Sequence, residues 1–508
     1  MVEQTQQKHP VGPGLRPFLR GVKAGNDKDY RTPFWDGAPR ESIRARWDSI
    51  FNAKTDTFPG RLEQVEKEQR DKIGPISRRL PLQDRIPEVR AYFNRNWPGV
   101  ELDSEIDTFL EEFKSDLGRA RPLGLENAAE ELAGNTNSGY PRFSKRELVR
   151  EDELEDARSG VWKERPAVLG WRGTASGLEK DPKQRTVWMT PMSSNIREMA
   201  FFRPLQKLLL RKAKYLEAWK TPEDVDRAVR KVLEYGIEHS TPIFSTDFSG
   251  FDQTAGPPIQ RYAFALIKAF YRPEYDEEIS DLEEYFATIG LIIQPDNELS
   301  GYHGVPSGSV LTNLVDCLIH RLAMLRLASR WGTELSEWSQ VQGDDGVFAS
   351  SIPLTSVMVD RAYAELGLEA NAEKQFVGFD DALYLQRYHH ISWAGGIYPT
   401  YRALNSLMGQ ERFHDPEVWG EDLVTLRAIM ILENCKHHPL HTDIVRFVQS
   451  GDRLRLGAAY PGGIDALLGK PGLLSRARGL AGFVPSYNQE NRLGGLKSFR
   501  TYQIVKEG

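Results

Sequence analysis

Cysteine is nearly absent: 508 residues hold two, Cys317 and Cys435. That excludes a disulfide scaffold and makes a reducing compartment the default expectation. No stretch approaches the ~18 consecutive apolar residues of a membrane helix, so no membrane partner is expected. The opening residues MVEQTQQKHP lack an apolar core, and no signal peptide is read. An excess of basic charge is missing too. Lys and Arg total 66 and Asp and Glu total 72, a net charge of −6. That excludes a uniformly basic nucleic-acid coat, but not a local basic channel, because net charge is silent on distribution. Internal repeats and low-complexity linkers are also missing, so one body of several subdomains is expected rather than separate beads.

The charge that is present is uneven. Residues 161–220 carry 13 Lys/Arg against 5 Asp/Glu, a net of +8. There the cations alternate with aromatics and glycines: Trp162, Trp171, Arg172, Gly173, Lys180, Lys183, Arg185 and Trp188. Phosphate-binding surfaces combine cations with stacking planes in this way. Residues 470–508 add a second basic stretch, with 7 basic and 2 acidic residues. The acidic run 151–156 (EDELED) reads as a solvated face or loop.

Periodicity places the elements. Residues 1–60 are polar and contain Pro10, Pro13, Pro17, Pro33 and Pro39, which suggests an extended arm lying on the body. Helical patterns fall at 62–72, 104–116, 204–219 and 259–271. Residues 241–244 (TPIF) read as a short apolar strand entering an acidic turn. From Ser307 to Arg330 apolar residues recur near the 3.6 period, and Gly332 stops that helix. Residues 341–349 read as two strands around a Gly-Asp-Asp-Gly turn. Beyond Tyr388 the pattern is mainly helical, with helices at 419–434 and 441–450.

Carboxylates mark the candidate chemistry. Asp247 and Asp252 form a D-x4-D pattern in "FSTDFSGFD", and Asp344 and Asp345 sit at the tip of "VQGDDGVF". Crowded carboxylates raise one another's pKa unless a cation is present. Mg²⁺ suits such a set, because it prefers carboxylate, water and phosphate oxygens. Two such ions about 4 Å apart can drive in-line phosphoryl transfer. Gly343 and Gly346 supply the permissive backbone that a tight acidic turn needs. Each pattern alone also fits a solvated acidic turn. The loop "GVPSGSVLTNLVD" (Gly304–Asp316) puts Ser307 and Gly308 before a long helix, where free N–H groups can meet a phosphate or a ribose. Ser307 as a simple N-cap is compatible with that. Thr312 and Asp316 share a helix face, with Asn313 beside them.

Seven segments then follow in one order: "TNSGYP" (Thr136–Pro141), "KQR" (Lys183–Arg185), "DFSGFD", "PSGSVLTNLVD", "QGDD", "NAEK" (Asn371–Lys374) and "YLQR" (Tyr384–Arg387). This series resembles motifs G, F, A, B, C, D and E of viral RNA-dependent RNA polymerases, unpermuted. The wording most resembles picobirnaviruses, with partitiviruses next. The resemblance spans Thr136 to His389, half the chain.

The resemblance implies an α+β, mainly helical right-hand fold of fingers, palm and thumb, with a small antiparallel palm sheet and closure by fingertips. Its implied layout is an N-terminal arm over 1–70, fingers over 71–240 with a return over 257–303, palm over 241–256 and 304–390, and thumb and tail over 391–508. Asp247 and Asp344, supported by Asp345, would hold two Mg²⁺ ions, with Mn²⁺ as a substitute. Asp252 would read the ribose hydroxyls. Lys183 and Arg185 would bind the triphosphate, and Lys374 would protonate the pyrophosphate leaving group. Ser307, Gly308, Thr312, Asn313 and Asp316 would line the nucleotide site. Thr136, Gly139 and Pro141 would guide template. Tyr384, Gln386 and Arg387 would support the primer strand. Many relatives carry Asn four residues after the motif B Thr, where this chain has Asp316. An ionised Asp only accepts, so Asn313 and Asp316 both stay open for the sugar contact.

The implied partners are template and nascent RNA and ribonucleoside triphosphates, with a capsid protein as a candidate and a monomer as the expected state. The implied setting is a double-stranded RNA genome copied within a particle and in the host cytoplasm. Two other classes compete with this reading. A reverse transcriptase usually has a bulky aromatic at the Asp252 position, and a non-catalytic RNA-binding or capsid-associated protein would leave the ordered carboxylates unexplained. Cys435, His437, His438 and His441 have zinc-ligand types but no standard finger spacing, and read as an exposed helix end. His389 and His390 read as local packing or strand contact.

Overall fold

The computed structural model describes residues 3–6, 9–373, 375–479 and 495–507. Lys374 and residues 480–494 of the basic C-terminal stretch lie outside the described residues.

A four-stranded antiparallel sheet stands at the centre. Its order is Gln340–Gln342, Asp345–Ala349, Ile243–Thr246, Phe376–Gly378. Strand residues alternate between faces, and both faces of this sheet are covered. Phe244 and Phe348 join the main core with Leu314 and Leu318 of the long helix Thr312–Trp331. Ile243, Val347 and Ala349 turn the other way, onto Val225, Val229 and Val232 of helix Pro222–His239. That double burial explains why strand Ile243–Thr246 reads as a continuous buried run rather than an alternating one.

A second, five-stranded sheet runs Glu3–Gln6, Asn297–Ser300, Leu291–Gln294, Ala167–Thr174, Lys183–Met189. Its last two strands form a long hairpin. Around the hairpin tip, Leu178 packs on the C-terminal core, and the nearby Gly74 amide donates to Asn405 Oδ1 (3.1 Å). The hairpin thus bridges the two halves of the molecule, closing the hand.

Several sequence expectations need correction. Beyond strand Glu3–Gln6, the N-terminal stretch is largely helical rather than extended. It forms helices Leu15–Ala24 and Arg40–Asn52, with Pro39 directly before the second. Proline suits a helix entrance, because it lacks only an N–H that would be unpaired there. Ile43, Trp47 and Phe51 bury one face of Arg40–Asn52 in the C-terminal core, with Tyr401 and Leu404. The helix expected at 204–219 instead runs Met192–Leu209, straight through Pro204, and gives way to a 3-10 turn at Lys214–Trp219. Pro204 frees the Ala200 carbonyl four residues earlier, and the Leu123 amide donates to it (2.9 Å). The acidic run lies in helix Arg146–Ser159 and is only partly solvated. Glu153 is buried and accepts from Arg142 (2.9 Å) and the Ser193 amide (3.0 Å).

The Cys/His group is not an exposed helix end. Cys435, His438 and His441 are buried, and among the described residues no three His, Cys, Asp or Glu side chains form a ready metal ligand set. His438 lies 2.8 Å from the buried carboxylate of Glu66. Glu66 also accepts from the Thr400 amide (2.6 Å), the Thr400 hydroxyl (2.7 Å) and the Tyr401 amide (3.2 Å). It thereby caps helix Thr400–Met408, whose own N-cap, Pro399, has no side-chain acceptor. Glu66→Ala strands these donors in a buried place. It should lower unfolding free energy by about 3 kcal/mol, and Glu66→Gln by less, read from denaturant midpoints. An unchanged midpoint in the alanine variant would contradict the capping role.

Candidate active site

The turn that presents the paired aspartates is shorter than the sequence pattern suggests. Only Gly343 and Asp344 lie between the strands, and Asp345 and Gly346 belong to Asp345–Ala349. Gly343 takes a φ of +62°, which side-chain-bearing residues rarely adopt. The long helix holds this turn from behind. His320 Nδ1 donates to the Gly343 carbonyl (3.0 Å), and the Gly343 amide donates to Cys317 Sγ (3.3 Å). Burial pushes His320 down to about 4, so it stays neutral. A Cβ on Gly346 would stand 2.5 Å from His320, so only glycine lets helix and hairpin meet. Cys317 and His320 carry no motif signal. The available sign was spacing, since Thr312, Asp316 and His320 recur every four residues.

Asp247 follows strand Ile243–Thr246 directly. Thr246 pairs with Gly346 in the sheet, which sets Asp247 beside the acidic turn. The Asp247 carbonyl accepts from the Asn371 amide (3.0 Å), tying the "NAEK" segment to it. The side chains of Asp247 and Asp344 are exposed, and that of Asp345 is half-buried. Among the described residues none of the three forms an ion pair. Desolvation in the cleft raises the Asp344 carboxyl, and repulsion from Asp247 adds to it, while Arg185 pulls it down. Asp345 is raised by the same desolvation and by Asp344. Unpaired, mutually repelling oxygen donors fit a hard divalent cation that completes its shell with water and phosphate.

Asp252 lies on the short helix Phe251–Thr254. Its Oδ2 accepts from the Ser307 hydroxyl, so Ser307 is not an N-cap. The long helix begins later, at Thr312. Its approach is held by the buried Glu198, which accepts from the Val310 amide (2.7 Å). Burial pushes Asp252 up to about 6, Asp344 adds to that, and Ser307 and Arg185 oppose it. Thr312 donates to the Pro306 carbonyl (2.9 Å), and Gly308 accepts from Thr190 (2.9 Å). The two open residues separate here. Asn313 Oδ1 accepts from Trp219 (2.8 Å) and Gln342 (3.4 Å). Asp316 is buried, and its Oδ1 has no hydrogen-bond partner. Burial raises its carboxyl well above the usual range, and the charges of Asp252 and Asp344 raise it further.

Lys183 and Arg185 are exposed on strand Lys183–Met189, whereas Gln184 and Thr186 between them are buried. Arg172 stands directly across the hairpin from Arg185. Like charges in that position destabilise a sheet unless an anion sits between them. Arg185 is close enough to act on Asp252, Asp344 and Asp345 at once.

This geometry agrees with the comparisons. A family model described as viral RNA-dependent RNA polymerase matches residues 166–383. A potential RNA-dependent RNA polymerase of human picobirnavirus is 36% identical over 480 residues, covering 90% of this chain and 89% of that protein. The chain belongs to the viral RNA-dependent RNA polymerases. The crystal structure of a human picobirnavirus polymerase superposes with a TM-score of 0.86 at 32% identity, over 98% of this chain and 97% of that one. Its insertion-loop deletion mutant gives 0.84 at the same identity and coverage.

The remaining expected site residues of the polymerase are scattered in exposure. Thr136 is exposed, and its hydroxyl donates to Ala133 O (2.9 Å). Gly139 is buried against the Thr190 carbonyl, and Pro141 follows a cis peptide. The side chains of Tyr384 and Arg387 are buried. Arg387 donates to the carbonyls of Gly396 (3.2 Å) and Asn434 (3.0 Å), bracing the hairpin Asp381–Tyr384/Arg387–His390 from within. Only Gln386, at its tip, is exposed.

Glu198 makes the site's stability depend on pH. Burial pushes its carboxyl from 4.5 up to about 7, against hydrogen bonds from Ser309 and the Val310 and Leu311 amides. The folded polymerase therefore holds this proton more tightly than the unfolded chain. The contribution is full below 4.5 and is lost as pH rises to about 7. Across that window the wild type should lose on the order of 3 kcal/mol relative to Glu198→Gln, measured by denaturant titration. Parallel pH profiles would contradict this.

Proposed function

We propose that this polymerase replicates and transcribes a viral double-stranded RNA genome by two-metal-ion nucleotidyl transfer. The observation that carries the reading is the convergence of Asp247, Asp344 and Asp345 with Arg185 and the Asp252–Ser307 pair. In this reading Asp247 and Asp344 hold two Mg²⁺ ions, with Mn²⁺ able to substitute, and Asp345 supports them. When bound, such ions activate the attacking 3′-hydroxyl and offset charge on the leaving pyrophosphate. Lys183 and Arg185, with Arg172 across the hairpin, hold the triphosphate by charge. Asp252 receives the ribose hydroxyls, with Ser307, Gly308, Thr312 and Asp316 around them. Asn313 braces the turn instead. Positioning and fixed charge supply most of the rate. Lys374 is the proposed donor of the proton to pyrophosphate. Thr136, Gly139 and Pro141 belong to the template path, and Gln386 to the primer side. The proposed division remains arm 1–70, fingers 71–240 and 257–303, palm 241–256 and 304–390, and thumb from 391. The proposed setting is a monomer inside the particle and in the host cytoplasm, with a capsid protein as neighbour.

Extension of a primed RNA template tests the site. Asp344→Asn should reduce Mg²⁺-dependent incorporation by about 10³-fold or more, the scale of losing preorganised charge stabilisation. Extension at the wild-type rate would sink the metal assignment. Arg185→Ala should raise the KM for ribonucleotides about tenfold or more, since a charged hydrogen bond contributes about 1.5–3 kcal/mol. An unchanged KM would remove Arg185 from the triphosphate site.

A further inference from the structure

Helix Leu15–Ala24 has one face seated and one face open. Leu15, Leu19 and Val22 are buried. Leu15 and Leu19 pack with Tyr140, Val168 and Ile292, which seats the helix against the Thr136–Pro141 loop and on two strands of the five-stranded sheet. Phe18 stacks on Trp171, with ring centroids 5.5 Å apart and planes at 9°. It also packs on Phe143, just past the loop (4.9 Å). The Arg79 guanidinium lies 4.1 Å from the Trp171 ring centre. Beyond the helix, the Asn26 and Arg79 amides each donate to the other's carbonyl (2.8 and 2.6 Å). The helix is therefore held in place beside the loop.

The open face is basic. Arg16, Arg20 and Lys23 stand at i, i+4 and i+7, on one side of the helix. All three are exposed. The helix contains no acidic residue, and among the described residues none of the three cations forms an ion pair. Only the Arg16 Nε is engaged, donating to the Val11 carbonyl (3.3 Å). The exposed cations of the basic segment 161–220 differ in this respect. Lys212 holds Asp116 (2.5 Å), Lys214 holds Glu337 (2.7 Å) and Lys220 holds Glu217 (2.5 Å). Lys23 also lines a cleft of about 500 Å³, whose other polar walls are Gln83, Arg90, Gln294 and Asn297, with no carboxylate among them.

Like charges four residues apart on a helix repel one another. A bound anion relieves that repulsion. The row is about 10 Å long, which suits a chain of phosphates better than a single one. We propose that this face is an entry surface for single-stranded template RNA, where Arg16, Arg20 and Lys23 hold phosphates that have yet to pass the Thr136–Pro141 loop. This rests on the reading that the loop lies on the template path.

The test is binding of primed RNA whose template overhang is about 16 nucleotides, the upper range of a single-strand footprint, against the same RNA with a single overhanging nucleotide. It compares wild type, the triple variant Arg16→Gln/Arg20→Gln/Lys23→Gln, and Arg16→Lys/Arg20→Lys. The measured quantity is the ratio of the two Kd values across salt concentrations, in which the folded fraction cancels. Wild type should favour the long overhang, and less so as salt rises. The three glutamines should lower that preference and reduce the salt slope on the long overhang by about 2, since each phosphate neutralised on a single strand contributes about 0.7. The lysine variant should keep the wild-type slope, because counterion release depends on charge. A wild-type slope in the glutamine variant would overturn the inference and leave the face to an acidic protein surface. A loss in the lysine variant equal to that of the glutamines would mark a structural effect and overturn it too. Photocrosslinking of 4-thiouridine in the overhang, mapped by mass spectrometry, separates the two readings. Crosslinks are expected in both 15–24 and 136–143. Crosslinks in 136–143 alone would overturn the entry surface and spare the template loop, and crosslinks in neither would remove both.

Discussion

Mutual repulsion among carboxylates is the constraint around which this molecule is built. Asp247, Asp344 and Asp345 crowd one end of the central sheet unpaired, and Asp344 and Asp345 are raised by desolvation and by the charges of their neighbours. Asp252 lies behind them, and burial together with the charges of Asp252 and Asp344 holds Asp316 well above the usual carboxylate range. Left to local preference, such side chains would separate into water. The sheet pairing of Thr246 with Gly346 prevents that for Asp247 and the turn. The long helix prevents it for the turn itself, through Cys317 and the neutral His320. Both faces of the sheet are sealed by apolar contacts. Core packing thus offsets a repulsion that a bound cation can relieve.

The same logic extends outward in layers. Glu198 holds the entrance of the long helix, Glu66 holds helix Thr400–Met408, and Glu153 anchors the Ser193 amide. Each is a buried carboxylate accepting from backbone N–H groups of another element. Buried polar groups of this kind cost much when half-satisfied, so each junction tolerates little displacement. The basic hairpin closes the arrangement from the opposite side. The charge of its Arg185 acts on the acidic turn, and Leu178 near its tip packs on the C-terminal core. The overall charge of −6 conceals this local opposition of signs.

The parts legible in sequence were those with short-range causes. The acidic hairpin, the strand before Asp247, the helix starting at Pro257 and the long helix ending at Gly332 all follow from turn chemistry and periodicity. Long-range partners were not legible. Pro204 stays in a helix because Leu123, far away in sequence, supplies the missing donor. The N-terminal prolines sit among helices because a distant core buries Ile43, Trp47 and Phe51. The donation of Arg387 to the Gly396 and Asn434 carbonyls was not legible either. In the site the charged residues stood out. Glu198 and His320 did not, since they act through burial and hydrogen bonds that no local pattern encodes.

Iron-directed backbone cleavage tests the carboxylate centre most directly. Fe²⁺ replaces the resident divalent ion, and ascorbate with peroxide releases hydroxyl radicals where it sits. Cuts are expected at the turn bearing Asp344 and just after strand Ile243–Thr246, with both suppressed by excess Mg²⁺ and by Asp344→Asn. Cuts elsewhere only, or cuts at these places that persist in Asp344→Asn, would show that the metal does not bind where the carboxylates converge.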